Sequence, residues 1–411
     1  MTKNDAKNDK DKQAQNGNKA SHIQKGEIKA ASNYSNGVAI VSDGSHEWVI
    51  DKTGKKLFSI SEKYPGYKVE DLLSGFYEKY CTIKSSDNKM IIDTTGSVVF
   101  DYKKTNYTIL SGVSAFNDGY IFVYEMKEDY SGVTKKIGVI DRENNWIMPL
   151  SDESPVLKET VQPGRSDIPE CEYLGNGMAY FIKPDGWNRG TLLNVKQKQW
   201  YPVDMRGVSS EFHNNVIAFQ GIDRSSYSVT VNGEQKEIPS LASKFSSGLY
   251  FCPNGICDGY GNLVADLSQY HKVSSKGFNG DHALLIISNE NETKYFTLVD
   301  SKGNFSFEPI EFVEGEDDYA FGEKDCNNYS DKIISINTDK GYSIYNEKGV
   351  LLFETKAAAF SSGLAISNGW FSLDGESSYN GLAFYDGLAL VQFSEEEACC
   401  FIDKKGSRII G

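Results

Sequence analysis

A short pattern recurs along this chain and restricts what it can fold into more than any other feature. It is most complete at residues 383–411. Phe384-x-x-Gly387-x-Ala389-x-Val391 is followed by a polar turn at 394–397, a strand ending at Asp403, the turn Asp403-Lys404-Lys405-Gly406 and a last strand to Ile410. Gly387, Ala389 and Val391 face one way and Leu388 and Leu390 the other. A strand apolar on both faces is buried between two layers. Asp at the first and Gly at the fourth position of a tetrapeptide marks a type I turn, in which the carboxylate accepts local N–H groups. The unit therefore reads as a three-stranded antiparallel meander.

The same opening appears at Tyr34-x-x-Gly37-x-Ala39-x-Val41, closing on Asp51-Lys52-Thr53-Gly54. It returns at Phe116 (before Asp141), Leu174 (before Asn194), Phe245 (before Asp258), Phe278 (before Asp300 and Gly303) and Phe360 (before Asp374). Weaker copies begin near Tyr77, Phe212 and Tyr319, the first closing at Asp93 and the last at Asn346. About ten units thus fill residues 31–411 at roughly 38 residues each, a period of solenoids, propellers and arrays. Such a unit buries its faces only against neighbours. The expected fold is all-β: about ten antiparallel three-stranded units in a propeller-like ring or pair of rings, with an open β-solenoid as the alternative. Two spacings, Phe245 to Asp258 and Phe360 to Asp374, are short enough to be fragments of blades.

These motifs resemble the WG-repeat (KWG-repeat) family of bacterial proteins, whose pattern runs F-x-x-G-x-A-x-V, a spacer, W-G-x-I-D-x-x-G and an apolar strand. The resemblance covers nearly everything after residue 30. The namesake Trp-Gly is absent: residues 137–141, IGVID, keep Gly138 but have Ile137, and residues 47–51, EWVID, carry Trp48 one place late. The resemblance implies a β-repeat fold, often in exported or surface proteins, used for binding, and it implies no catalytic residues.

Charge narrows the partners. The net charge is −14; residues 1–30 hold seven Lys and four Asp or Glu, so they contribute +3 and the rest −17. A body this acidic repels nucleic acid. Residues 1–30 have almost no apolar side chains and read as a disordered tail or tether ahead of a repeat domain over 31–411. No run reaches the roughly 18–20 apolar residues of a membrane helix. The tail has no secretory h-region, yet its composition is that of a spacer behind a cleaved signal or a lipid-anchored cysteine. A tethered, extracellular protein is the favoured reading and a cytoplasmic one the alternative.

Few residues invite chemistry. The five histidines, at 22, 46, 213, 271 and 282, form no metal-ligand spacing, and no nucleophile elbow or phosphate loop occurs. No cofactor is expected. Paired carboxylates on a propeller, cleaving a glycan, are the enzymatic alternative; the repeat-turn aspartates at 51, 93, 300 and 403 are explained by turn geometry instead. The acidic stretch 314–319, EGEDDY, could offer Ca²⁺ oxygen ligands but matches no calcium-loop spacing, and a solvated loop accounts for it better. Flat rings stack on sugars or fill peptide pockets. Trp187, in the Gly/Asn-rich loop 184–190, and Trp370, after Ser-Asn-Gly, are the candidate ligand contacts, whereas Trp48, Trp146 and Trp200 sit in strand patterns and are assigned to core packing. The expected function is a non-catalytic binding module for a protein or glycan.

Residues 250–261, YFCPNGICDGYG, suggest a hairpin turning at Asn254-Gly255. That register pairs Pro253 with Ile256 and then Cys252 with Cys257, with Cα atoms about 4.5 Å apart. In an exported protein these two would form a disulfide; in a reducing compartment they stay thiols.

Overall fold

The computed structural model describes residues 22–411 except positions 25, 74, 78, 105–106, 111–117, 130–131, 159–168, 183–189, 206–209, 316–326, 360–365, 368–369, 372–381 and 394–397; at 104, 129, 132–133, 158, 358–359, 366–367 and 370–371 it describes the helical turn or strand and not the side chain. Among the described residues the chain forms nine small antiparallel sheets in sequence order, closed into a β-propeller ring, and a further two-stranded sheet inserted in the ninth. Blade 1 comprises Ala30–Ala31, Val38–Ser42, Glu47–Asp51 and Lys56–Ser59, and blade 9 comprises Ala358–Ala359, Leu388–Gln392, Cys400–Asp403 and Arg408–Ile410. Helix is confined to one turn at Ile60–Lys63 and two 3-10 turns at Tyr102–Lys104 and Pro155–Lys158, among the described residues.

Alternation along the second strand of each blade builds the ring. All five residues of Val38–Ser42 are buried. Val38 and Ile40 pack into blade 2 with Phe76, Cys81 and Ile83, while Ala39 and Val41 pack into blade 9 with Leu388, Leu390 and Phe401. Blade 9 repeats the arrangement, with Ala389 and Val391 turned to blade 8 beside Ile333 and Ile344. In blade 3, Ile121 and Val123 face blade 2, and Phe122 and Tyr124 face blade 4. A strand with period-two side chains thus supplies two cores at once. Every neighbouring pair of blades shares such a core, and the cluster joining Ile410 and Phe401 to Tyr34 and Ala31 closes the circle.

Among the described residues, six blades have four strands, blade 7 has five, and blades 5 and 6 have three. In the four-stranded blades the expected three-strand unit gains a strand because residues ahead of the turn pair with the strand after it. Ala31 opposite Val41 is one such pair and Tyr173 opposite Ala179 another. The last strand is the exposed one, as at Gln235–Glu237 and Leu263–Asp266, so it forms the outer wall.

Two turns set this geometry. The first is the aromatic-x-x-Gly segment itself. Ser35 and Val38 exchange both backbone bonds, at 2.9 and 3.2 Å, across Asn36 (φ 54°) and Gly37 (φ 82°). Two successive left-handed residues make a type I′ hairpin, whose twist suits flanking strands. Asn176-Gly177, Ser247-Gly248, Asp331-Lys332 and Asp386-Gly387 have the same φ signs. The second turn is the Asp-x-x-Gly tetrapeptide. Asp51 Oδ1 accepts the N–H of Thr53 at 2.9 Å and of Lys55 at 3.1 Å, and Gly54 takes φ 80° with a register shift in the ladder. This is a type I turn closed by a glycine bulge.

Nine blades account for nine of the ten repeat units. The unit assigned to Phe360 is an insertion inside blade 9, where Ile366–Ser367 pairs with Trp370–Phe371 between the first and second strands. The copy placed at Tyr319 is corrected: blade 8 turns at Tyr329-Ser330-Asp331-Lys332, ten residues later. Residues just ahead of the repeat domain also touch the ring. Ile23 and Ile28 are 8% and 1% exposed in the core shared by blades 9 and 1, and Ile23 N–H bonds Gly54 O at 2.9 Å. These two isoleucines tie the segment ahead of the first blade to the ring. Positions 1–21 lie outside the described residues.

Candidate ligand-binding groove

The repeat aspartates are consumed by their own turns. Partial burial works against the Asp51 charge, but the Thr53 hydroxyl and the Thr53 and Lys55 N–H groups outweigh it and hold the carboxyl below the ordinary carboxylate range. The same balance lowers Asp93, Asp141 and Asp300. A lowered carboxyl is the opposite of what a general acid needs. The acidic residues at the type I′ turns bind the next blade instead. Asp331 Oδ2 accepts Gly387 N–H at 2.5 Å and lies 3.1 Å from Lys404 Nζ. Asp386 Oδ2 accepts Gly37 N–H at 2.8 Å, with Lys52 Nζ 3.6 Å from its other oxygen.

The residues singled out in the sequence are scattered. Trp187 lies outside the described residues, and for Trp370 only its place in the strand Trp370–Phe371 is described. Of the 314–319 stretch, Glu314 is ion-paired with Lys294, and 316–319 lie outside the described residues. Trp48 is half-buried with Lys56 Nζ 4.0 Å from its ring centre, and Trp200 meets Phe181 edge-on at 5.0 Å. Trp146 departs from the core assignment: it is 40% exposed, laid across Gly138 on the neighbouring strand, where a Cβ would come 2.6 Å from its ring. Gly138 is therefore kept small by Trp146, a cross-strand cover of a strand glycine.

The 250–261 hairpin forms in a different register. Cys252 pairs with Gly255 and Tyr250 with Cys257, so Pro253-Asn254 are the turn residues. Proline's fixed φ suits the first central position of a type I turn and is incompatible with left-handed geometry. Gly255 instead opens the next strand at φ 148°, where a Cβ would fall 2.0 Å from Ala265 O. Cys252 and Cys257 become diagonal neighbours on one face. Both are buried free thiols, with Sγ atoms 2.8 Å apart. Burial first, then Cys252, pushes the Cys257 thiol up to about 12.

The concave feature richest in ligand-type side chains lies between blades 6 and 7. An open groove of about 640 Å³ is bounded by Gln269, Tyr270 and His271 on the connection between the blades and by Asn289, Glu290 and Tyr295 in blade 7. Tyr270 is fixed from behind by Phe305, with ring centres 5.8 Å apart, and its N–H bonds Leu267 O at 3.1 Å. Asn289 Oδ1 caps its own turn by accepting the N–H groups of Asn291 and Thr293, each at 3.0 Å, which orients the carboxamide. Two half-buried tyrosines flanked by amide, imidazole and carboxylate groups offer stacking faces with hydrogen-bond partners at their edges. Sequence reading missed this groove because Tyr270 and Tyr295 belong to different units, and neither lies in a repeated motif.

Among the described residues no group of three or more His, Cys, Asp or Glu side chains is placed to hold a metal, and no helix is long and apolar enough to cross a membrane. No family model matches the chain, and no curated protein matches it. Solved structures do match, distantly. Porphyromonas gingivalis dipeptidyl peptidase 4 is 11% identical over 80% of this chain and 51% of its own, with a TM-score of 0.34. An uncharacterized protein from Listeria monocytogenes EGD-e is 11% identical over 84% of this chain and 94% of its own, with a TM-score of 0.35. Pyrococcus horikoshii acylaminoacyl peptidase is 9% identical over 95% of this chain and 54% of its own, with a TM-score of 0.35. The chain thus spans about half the length of either peptidase. At these scores the propeller assignment rests on the chain's own sheets and cores.

Proposed function

We propose that this chain is a non-catalytic propeller of the WG-repeat type, displayed outside the cell, that binds a glycan along the groove of Tyr270, His271 and Tyr295. The observation that carries the reading is the pairing of two half-buried tyrosines, Tyr270 braced by Phe305, with carboxamide and carboxylate groups in an open groove of about 640 Å³. In such a groove a pyranose face stacks on a ring while its hydroxyls reach Gln269, Asn289 and Glu290. A peptide is the alternative occupant. Trp187 and Trp370 stay candidates for additional ligand contacts. The turn-bound state of the repeat aspartates supports a binding role over a hydrolytic one.

The test is a glycan array with the full chain, followed by calorimetry on any hit. Tyr270→Ala and Tyr295→Ala should each weaken binding by about tenfold, the scale of one lost aromatic contact, with melting temperature little changed. Equal binding by both variants would reject the groove. Release of reducing sugar from a bound polysaccharide, lost on replacing one carboxylate, would reject the non-catalytic reading. Cell fractionation with antibody against the intact chain tests the location.

A further inference from the structure

The groove of Tyr270 and Tyr295 has a charge pattern that narrows its ligand; the inference rests on the glycan reading of that groove. Among its described lining residues the acidic and basic side chains are Glu290 and His271, with no lysine or arginine. Glu290 is exposed, in the turn joining the strands His282–Ser288 and Lys294–Asp300. It makes no hydrogen bond or ion pair among the described residues, so its carboxylate is free to meet a ligand. The Asn289 carboxamide beside it has its oxygen engaged by the turn, which leaves the NH₂ group to donate.

Strand alternation keeps the lysines of blade 7 away from this carboxylate. Val273, Ile287 and Tyr295 form one cross-strand row, packed towards blade 6. Lys272 and Lys294 stand in the next row, which faces the other way. Lys294 is already ion-paired with Glu314. The aromatic rings add to the same preference. The face of a tyrosine ring is negative and attracts a cation within about 6 Å. Tyr270, braced by Phe305, and Tyr295 both line the groove. A free carboxylate and two such rings favour a positively charged group. The net charge of −17 on residues 31–411 adds a field of the same sign.

We infer that the groove selects an amino sugar, with its ammonium group against the Glu290 carboxylate and its ring face against Tyr270 or Tyr295. A uronic acid, of the opposite charge, is repelled. Binding weakens as salt rises, because the pair is exposed.

Calorimetry with the full chain tests this at mildly acidic pH, where a sugar amine carries its proton. The probes are glucosamine tetramer, N-acetylglucosamine tetramer and trilysine at one ionic strength. The amine tetramer should bind about fivefold tighter than the acetylated one, the scale of an exposed ion pair with a ring contact. Glu290→Gln should bring the amine tetramer down to the affinity of the acetylated one. Glu290 is exposed, so the fold should survive, which circular dichroism verifies. His271→Gln should keep a preference for the amine, which separates the carboxylate from imidazole protonation. Equal affinity for the two tetramers, tighter binding of the acetylated one, or a preference untouched by Glu290→Gln would each overturn the inference. If Tyr270→Ala still weakened both tetramers in that case, the glycan reading of the groove would stand without it. Trilysine binding as tightly as the amine tetramer would instead assign the groove to a basic peptide. No heat with any probe at about 10 mM, an affinity too weak to matter, would also reject the amino sugar.

Discussion

Asp386 Oδ2 and Gly37 N–H, 349 residues apart in the chain, meet at 2.8 Å where the ninth blade joins the first. The bond repeats one already present between blades 8 and 9, where Asp331 serves Gly387. Closure therefore uses the same device as an internal junction, plus the core of Tyr34, Ala39, Leu388 and Phe401. Replacing Asp386 by Ala should lower stability by about 1 kcal/mol, the net scale of a partly exposed charged hydrogen bond. The measurement is urea unfolding, read as a midpoint shift at constant slope. No shift would show that the apolar core alone closes the ring.

The N-terminal segment gives the second prediction. Ile23 and Ile28 are buried between blades 9 and 1, each contributing about 1.5–3 kcal/mol. A chain beginning at residue 30 should melt several degrees below one beginning at residue 22. Equal melting temperatures would mean that the two isoleucines are replaceable by solvent.

Acid behaviour is set by the Asp-x-x-Gly turns. The folded pKa values of Asp51, Asp93, Asp141 and Asp300 are depressed. Their contribution is complete above the unfolded value of about 3.9 and is lost as pH falls through the folded values. Asn346 fills the same turn position, its Oδ1 accepting the N–H groups of Lys348 at 2.9 Å and Val350 at 3.1 Å. Asp300→Asn should thus keep the turn and flatten the loss of stability below about pH 4, whereas Asp300→Ala should destabilise at neutral pH too. Chemical unfolding at pH 3, 4 and 7 separates the two outcomes.

Features contained within one unit were legible in the sequence. The apolar residues on both faces of 387–391 foretold a strand sandwiched between layers, and blades 8 and 1 are those layers. Asp51-x-x-Gly54 foretold its turn, because donor and acceptor lie within five residues. The groove was not legible, since Tyr270 on the connection and Tyr295 in blade 7 are brought together by strand pairing and lie in no repeated motif. Nor was the role of Asp386, whose partner lies at the other end of the chain. The slip at residues 252–257 had a local cause: Pro253 claims a turn position that the Asn-Gly pair would otherwise define.

The last prediction concerns that hairpin. Cys252 and Cys257 Sγ atoms stand 2.8 Å apart, diagonal on one face and shielded from solvent. Oxidation by a small disulfide would form the Cys252–Cys257 bond, release two thiols of the reagent and cost each cysteine its proton. The attacking species is a thiolate. Burial and Cys252 push the Cys257 pKa up to about 12, so the thiolate is scarce at neutral pH. The rate of bridging should rise about tenfold per pH unit from pH 7 towards 10, and the product should be lighter by two hydrogens and resist alkylation at both positions. The closed loop is short, so the melting temperature should rise little. Peptide mapping of protein recovered from its native compartment then reads the location: a bridge at 252–257 fits an oxidising site, and two alkylated thiols reject the proposed export. A bridging rate independent of pH would show that Cys257 does not attack as the scarce thiolate.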